Sequence, residues 1–451
     1  MKNNDKKNKV DDFIYEDKKG IEKISIQRLA EYLIEKNTFK TIYGEKSEKV
    51  YLYEDGIYMP RGKRIIKIMV EELIGSKATT YIVNEVFEKI KRKTSIDIEE
   101  FEETIEGLIC LENGLYDMNN YKFMKHSPNY YFKSKLPIIY DKEKDCQNIN
   151  KFFEDVLYEE DIILIQEWIG FILYNKYFEK KGVIFFGEKD TGKTITLSLI
   201  SEFLGENNII SLSLQKIAYG KEFDLLYLKD KYANIFDDLG DKDINDSGGF
   251  KIATGGGSIT GEYKFGDKIS FKTFAKLMFA CNKIPAIKDI DDDAYFGRWM
   301  PIAFDNQIKE EEQDKKLMNK LKTKDEISGL FNLAIKGFKR LRKNNKFSFN
   351  KTSGEIKQIM QRSSHPLTAF AQDCLIQDNG NRVTKDELFK AYSNWCEKEN
   401  KARFTKTKLS QNLERFVPYI ISSRDTQRIW LNAKLKNSEE VSTLTTLYQK
   451  I

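Results

Sequence analysis

The stretch Gly187-Glu188-Lys189-Asp190-Thr191-Gly192-Lys193-Thr194 constrains this chain more than any other, because it meets G-x-x-x-x-G-K-[ST] at every fixed position. Its flanks fit as well. The apolar run GVIFF ahead of it reads as a buried strand, and ITLSLISEFLG behind it reads as a helix ending at Gly205. A strand, a glycine-rich loop and a helix make a phosphate cradle. Backbone N–H groups wrap the anion at a helix N-terminus, where aligned peptide dipoles leave partial positive charge. Lys193 can reach the β- and γ-phosphates, and Thr194 can offer a hydroxyl to Mg2+. ATP and Mg2+ are therefore the expected cofactors. Lys193 is expected on the surface of the loop, so that its removal opens no core cavity.

Two apolar runs downstream end in polar residues of the right kind. YANIF runs into Asp237 and Asp238. A P-loop ATPase needs a carboxylate at the end of a neighbouring strand for the metal's water shell, and a second group to position or deprotonate water. Two adjacent acids can fill both roles. AKLMFACN ends in Asn282, a neutral tip that can orient the attacking water. Between them, ITGEYKF and KISFKTF flank a Phe-Gly-Asp turn and read as a β-hairpin with Lys264 and Lys268 at its end. Those lysines either touch a nucleic-acid backbone or simply face water.

At 451 residues the chain has room for about three domains of roughly 150 residues each. Residues 1–20 read as a charged tail, and 21–146 as a mainly helical unit with a small sheet after Leu108, marked by Asn-Gly and Asn-Asn turns. Residues 147–180 return to helix, as a collar leading into an α/β ATPase unit over 181–345, whose last stretch, 306–345, reads as helical and basic. A polar linker, 346–366, precedes a compact unit at 367–435. There two helical patterns (TKDELFKAYSNWCEKEN, TKTKLSQNLERF) and two strand-like pieces suggest a winged helix; 436–451 reads as a tail. Charge is uneven: 306–451 holds 29 Lys and Arg against 17 Asp and Glu, which points to a polyanion partner for that third. The five cysteines form no CxxC pair, and with only two histidines they do not complete the usual zinc clusters. A histidine relay or protein-bound zinc is thus not expected. MKNNDKKNKVDD lacks a signal peptide's apolar stretch, and DIILIQEWIGFILY is too short to span a bilayer, so a cytoplasmic protein with no membrane partner is expected.

The order GEKDTGKT, ANIFDD, KIATGGGSIT, KLMFACNKIP, YFGRWMPIAF resembles a superfamily 3 helicase. It is closer still to the helicase portion of phage, plasmid and poxvirus primase–helicases, over roughly residues 105–435. The resemblance implies an AAA+ type core assembled as a ring, a hexamer by expectation. Such a ring moves along single-stranded DNA and parts forked DNA during replication of a mobile element. It implies the phosphate loop at 187–194, Asp237 at the metal, Asp238 polarising water, and Asn282 as sensor. Arg298 becomes the arginine finger offered to a neighbouring subunit, and Lys264 the DNA-gripping hairpin lysine. The role of Lys251 stays open. Two departures stand out: Gly257 occupies a place commonly held by Asp, and Gly297-Arg298 offers one arginine where two are usual. No acidic metal triad in strand context precedes the resembling region, so primer synthesis is expected from a separate primase or polymerase. The rival reading is a DNA-binding initiator or remodeller that uses ATP as a switch. A metabolic P-loop kinase fits less well, since no small-substrate lid is recognisable.

Overall fold

The computed structural model describes residues 10–44, 48–220, 222–240, 242–262, 268–399 and 401–436. Near the N-terminus, β1 (Ile14–Glu16) and β2 (Glu22–Ile24) form a hairpin. Phe13 beside it is buried in the first core cluster, so the expected tail over 1–20 is folded from Phe13 onward. Residues 1–9 lie outside the described residues. The expected helices follow. They are α1 (Ile26–Lys36), started by the Ser25 side chain accepting from the Arg28 N–H, then α2 (Gly62–Ile74) and α3 (Thr80–Lys93). Leu29, Leu33, Ile66, Val70, Val86 and Ile90 recur at helical spacing and bury one face of each. Between α1 and α2 the helical reading fails. β3 (Phe39–Tyr43), β4 (Glu48–Glu54) and β5 (Ile57–Met59) make an antiparallel meander, with Asp55 and Gly56 at positive φ in its second turn.

The second small sheet is where the sequence indicates it, with β6 (Leu108–Leu111), β7 (Gly114–Asp117) and β8 (Lys122–Met124) all antiparallel. α4 (Gln147–Val156) and α5 (Glu159–Leu173) then lead into the core sheet. That sheet has five parallel strands in the order β10-β11-β14-β9-β15. β9 (Gly182–Phe186) continues through the glycine-rich loop into α6 (Lys193–Leu204), and β10 (Ile209–Ile210) is a short edge strand. β11 (Ala233–Phe236) precedes α7 (Gly248–Thr254) and the hairpin β12 (Ser258–Glu262) with β13 (Lys268–Lys272). β14 (Lys276–Cys281) is buried along its whole length, and β15 (Trp299–Ala303) closes the other edge. Continuous apolar strands of this kind belong to a sheet covered on both faces.

Residues 306–316 are largely irregular where helix was expected; α8 (Leu317–Leu321) and the long α9 (Lys324–Asn344) follow. α9 packs along α5, and two buried acids fasten this collar. Glu167 accepts from Arg340 Nε, from the Ser348 hydroxyl and from the Ser348 N–H, each at 2.7 Å. Glu326 accepts from the N–H groups of Asn148 and Ile149, which open α4. The supposed linker at 346–366 contains a helix, α10 (Ser353–Ser364), started by a Thr352–Glu355 capping box and anchored on the ATPase core through Ile356 and Met360.

The C-terminal unit has its own core around Phe370, Leu388, Tyr392 and Trp430. Its elements run α11 (Pro366–Cys374), β16 (Leu375–Thr384), α12 (Lys385–Lys398), α13 (Lys406–Phe416), β17 (Ile421–Arg424) and β18 (Arg428–Leu435). The three strands are antiparallel in the order β16-β18-β17. β16 is an addition to the sequence reading, and residues 437–451 lie outside the described residues. Among the described residues no helix is long and apolar enough to cross a membrane.

Candidate nucleotide site

The carboxyl ends of β9, β11 and β14 open into one cleft of about 1170 Å³, which brings residues 189–194, Asp237, Asp238 and Asn282 together. Strand order decides who stands where. β14 lies between β9 and β11, so Asn282 is next to the phosphate loop and the two acids are one strand further out. The acids therefore do not end an adjacent strand, as the sequence reading supposed. All of them remain on the same edge because the strands are parallel.

Local geometry accounts for the glycines of the loop. At Gly187, φ is +149°, and a Cβ would come within 2.2 Å of the Phe304 carbonyl, where β15 ends. Gly192 starts α6 at φ +96°, against Val156 of α4. Both positions favour a residue without a side chain. Thr191 ties the loop by donating to the Glu188 carbonyl at 2.9 Å. Lys193 differs from expectation, being only 7% exposed. Its ammonium donates to the Gly187 and Glu188 carbonyls at 2.9 and 2.5 Å and to Thr191 Oγ1 at 3.2 Å. The reason is physical: a buried ammonium takes the loop's own oxygens as partners, and burial still lowers its pKa. Burial also pushes the neighbouring Cys281 thiol up to about 12, which keeps it neutral.

Glu188, Lys189, Asp190 and Thr194 are exposed around the loop. Asp237 and Asp238 are exposed too, and Asp237 Oδ1 accepts the Asp238 N–H at 2.9 Å. Asp238 has φ +60°, a conformation uncommon outside glycine, asparagine and aspartate. Thr194, Asp237 and Asp238 supply hydroxyl and carboxylate oxygens, the donor type that Mg2+ takes alongside nucleotide phosphates.

The cleft has a second wall that carries no motif. After β15, residues 306–313 cross the phosphate loop as a strap. Ile308 N–H donates to the Asp190 carbonyl at 2.9 Å, and Asn306 Nδ2 to the Asp155 carbonyl at 3.2 Å. Phe152 of α4 and Leu317 and Met318 of α8 complete this wall. Only the apolar spacing of α4 hinted at it in the sequence.

Arg298 is not in the cleft. It directly precedes β15, and its carbonyl accepts the Gly182 N–H at 2.8 Å, at the start of β9. Five strand residues at about 3.3 Å each put it roughly 16 Å from the phosphate loop. Its Nη1 reaches Thr254 Oγ1 at 3.3 Å. Lys251, one turn back on α7, pairs with Asp292 at 2.8 Å. The hairpin strands pair in register from Ser258↔Lys272 to Glu262↔Lys268. Lys264 lies outside the described residues, and Lys268 opens β13.

Comparison with known proteins adds three family profiles along the chain. "D5 N terminal like" matches residues 16–158, a family of unknown function matches 185–298, and "Poxvirus D5 protein-like" matches 362–447. The chain is 22% identical over 326 residues to "Putative helicase 121R" of Invertebrate iridescent virus 3, covering 64% of this chain and 34% of that protein. It is 26% identical over 228 residues to "Putative helicase 184R" of Invertebrate iridescent virus 6, covering 46% of this chain and 23% of that one. The chain thus spans about a third or less of these relatives' length. Among solved structures, the apo NrS-1 C terminal region aligns over 90% of this chain and 98% of its own, at 16% identity and a TM-score of 0.49. A second form aligns over 87% and 86%, at 15% and 0.47.

Proposed function

From a chain of the phage and poxvirus D5-type primase–helicase kind, we propose an ATP-dependent replicative DNA helicase of a mobile element, working as a ring on single-stranded DNA. One observation carries the reading. The phosphate loop, two acids and a polar sensor share one edge of the parallel sheet, while Arg298 stands at the other end of β15. As a finger, Arg298 is too far from its own subunit's cleft and would serve a neighbour's, which supports the ring reading.

In the reaction, water attacks the γ-phosphorus as the bond to the ADP oxygen breaks. Thr194 and Asp237 would hold Mg2+, which would supply neutralising positive charge to the nucleotide's phosphates. Asp238 orients the water and takes its proton, and Asn282 fixes the water's other side. Lys193 trades its loop carbonyls for phosphate oxygens. Arg298 of a neighbouring subunit stabilises the charge that develops in transfer. β14 carries Asn282 at one end and follows directly from the β12–β13 hairpin at the other, so hydrolysis and hairpin position share one strand. Lys264 and Lys268 hold the single strand. The C-terminal unit acts as a winged helix, with α13 as the reader of duplex or partner, and a separate primase or polymerase supplies primers.

The test is ATP hydrolysis with and without single-stranded DNA, together with displacement of a labelled strand from a fork. A helicase shows stimulation and displacement. Stimulation without displacement favours the ATP-switched initiator, and hydrolysis indifferent to DNA rejects both.

A further inference from the structure

The C-terminal unit meets the ATPase core at two loops that leave the carboxyl edge of the sheet, one after the acids of β11 and one after Asn282. Those loops are zipped together. The Ile244 N–H donates to the Ala286 carbonyl at 2.7 Å, and the Lys288 N–H to the Ile244 carbonyl at 2.9 Å. Arg415, near the end of α13, reaches Asp243 on the first loop at 3.7 Å. A cleft of about 780 Å³ separates the two units, lined by Lys288 from the core and Arg415 from α13.

His365 fixes the geometry of this junction. Its Nδ1 accepts the Leu367 N–H at 3.1 Å, and its ring lies flat on Phe416 at 3.5 Å and 4°. Three cations converge on it. Lys408 stands 4.6 Å over the Phe404 ring, itself 5.9 Å from the imidazole, and Arg415 stands 5.1 Å over Phe416. The third is Lys283, the residue after Asn282; burial first, then Lys283, Arg415 and Lys408, lower the imidazole's pKa to about 4. All three cations are exposed. Acids nearby are engaged elsewhere: Asp291 with Lys357 at 3.4 Å, Asp289 with the Asp291 N–H at 3.2 Å, and Glu414 with the Ser422 N–H. Among the described residues Asp243 is the acid that pairs with one of the three, in an exposed contact that contributes little. Like charges gathered at a surface repel, and a polyanion relieves them.

We propose that Lys283 of the core, with Lys408 and Arg415 of α13, forms one surface for the phosphate backbone of duplex DNA. The inference rests on the helicase reading given above and extends the winged-helix reading from α13 onto the core. The aromatic rings decide between duplex and single strand. Single strands are held largely by stacking on open rings. Here Phe416 is faced by His365 and Arg415, and Phe404 by Lys408. Phosphate contacts position a duplex without such stacking. The hairpin lies at the amino end of β14 and Lys283 beyond its carboxyl end, so the two DNA contacts stand roughly 20 Å apart along that strand. Asp243 holds Arg415 until a phosphate takes it.

The experiment measures binding of a labelled blunt duplex and of a labelled single strand to the full chain, over a salt series without nucleotide. Lys283→Gln, Lys408→Gln and Arg415→Gln should each lower the duplex log–log salt slope by about 0.9 and leave the single-strand slope as it was. Asp243→Asn frees Arg415 and should tighten duplex binding about two- to fivefold, a gain that a damaged fold would not give. An unchanged duplex slope in Lys283→Gln takes the core out of the surface and overturns the proposal. A loss of slope as large on the single strand as on the duplex overturns the duplex assignment. Slopes untouched in all three variants give the surface to an acidic protein partner instead, which also overturns it. Wild-type protein whose hydrolysis responds to single-stranded DNA but which binds no duplex fails this proposal alone. Protein that binds neither DNA fails the helicase reading as well.

Discussion

The two ends of the core sheet treat charge in opposite ways. At the carboxyl edge, Thr194, Asp237, Asp238 and Asn282 are exposed to a wide cleft. At the amino edge, and along α7 beside it, polar groups are spent on one another. Lys276, fully buried, donates to the carbonyls of Tyr174, Phe274 and Lys176 at 2.6, 2.8 and 3.3 Å, and burial lowers its pKa well below the usual lysine value. Lys251 pairs with Asp292, and Arg298 leans on Thr254. A charge out of water must be partnered or it destabilises the fold, so the amino end is built to be closed. Apart from Lys193, the carboxyl end leaves these polar groups exposed and available to a ligand. Arg298 is the exception within the closed end: half-buried, it has among the described residues one neutral side-chain partner, Thr254, at a long 3.3 Å.

The sharpest way to break this contrast is therefore Arg298→Ala. If Arg298 serves only its own subunit's packing, the variant melts lower and hydrolyses ATP normally. If it completes a neighbour's site, ATP binds nearly as before and hydrolysis falls by about 10³ or more, the range for arginine fingers. Mixing Arg298→Ala with Lys193→Ala should then restore part of the activity, because some interfaces pair an intact loop with an intact finger. No recovery on mixing would leave a monomeric P-loop enzyme.

Within the open end the two acids should separate. Asp238→Asn should leave nucleotide binding intact and lower hydrolysis by about 10²–10⁴, the usual worth of a general base. Asp237→Asn should weaken metal-dependent binding instead. Asparagine at 237 keeps an oxygen to accept the Asp238 N–H, so this substitution removes charge and spares the turn. Equal loss of binding in both variants would contradict the division.

The open end was the more legible of the two, and the reason is chemical. A phosphate cradle allows few sequences, so the loop and its flanking strand and helix could be read directly. Parallel order could not be. Nothing in YANIF or AKLMFACN says that β14 inserts between β9 and β11, and the distance from Arg298 to the loop follows only from the pairing of β15 with β9. The burial of Lys193 was equally hidden, since it depends on loop carbonyls with no side-chain code. Two features were legible but passed over. Asp55-Gly56 between β4 and β5 is a two-residue hairpin signal, and Thr352-Ser353-Gly354-Glu355 is a capping box. Each was outweighed by the helical or polar character of its surroundings. The strap had no signal beyond apolar residues in a charged stretch, while α8 lies within the stretch that reads as helix.

The smallest expected effect tests the closed end through Asp292. Burial pushes its carboxyl up, but hydrogen bonds from Lys251, Ser247 and the Tyr295 N–H outweigh that, and its pKa lies below the ordinary 3.8. The sign follows from proton counting. The unfolded chain takes up the proton at a higher pH than the native one, so the carboxylate's contribution is complete above the ordinary value and is lost as pH falls through the lowered one. Asp292→Asn keeps a side chain that caps the short helix at Asp293–Phe296, and so isolates the charge. At neutral pH the variant should be less stable by about 1–3 kcal/mol, as for a hydrogen bond to a charged group. The two proteins should converge as the pH is taken down through the lowered value, which a series of thermal melts from pH 7 into the acid range would show. ATP affinity should not change, because the pair stands apart from the cleft. A loss of ATP binding in Asp292→Asn would mean that the two ends of the sheet are not independent, and that Lys251 takes part in the nucleotide site.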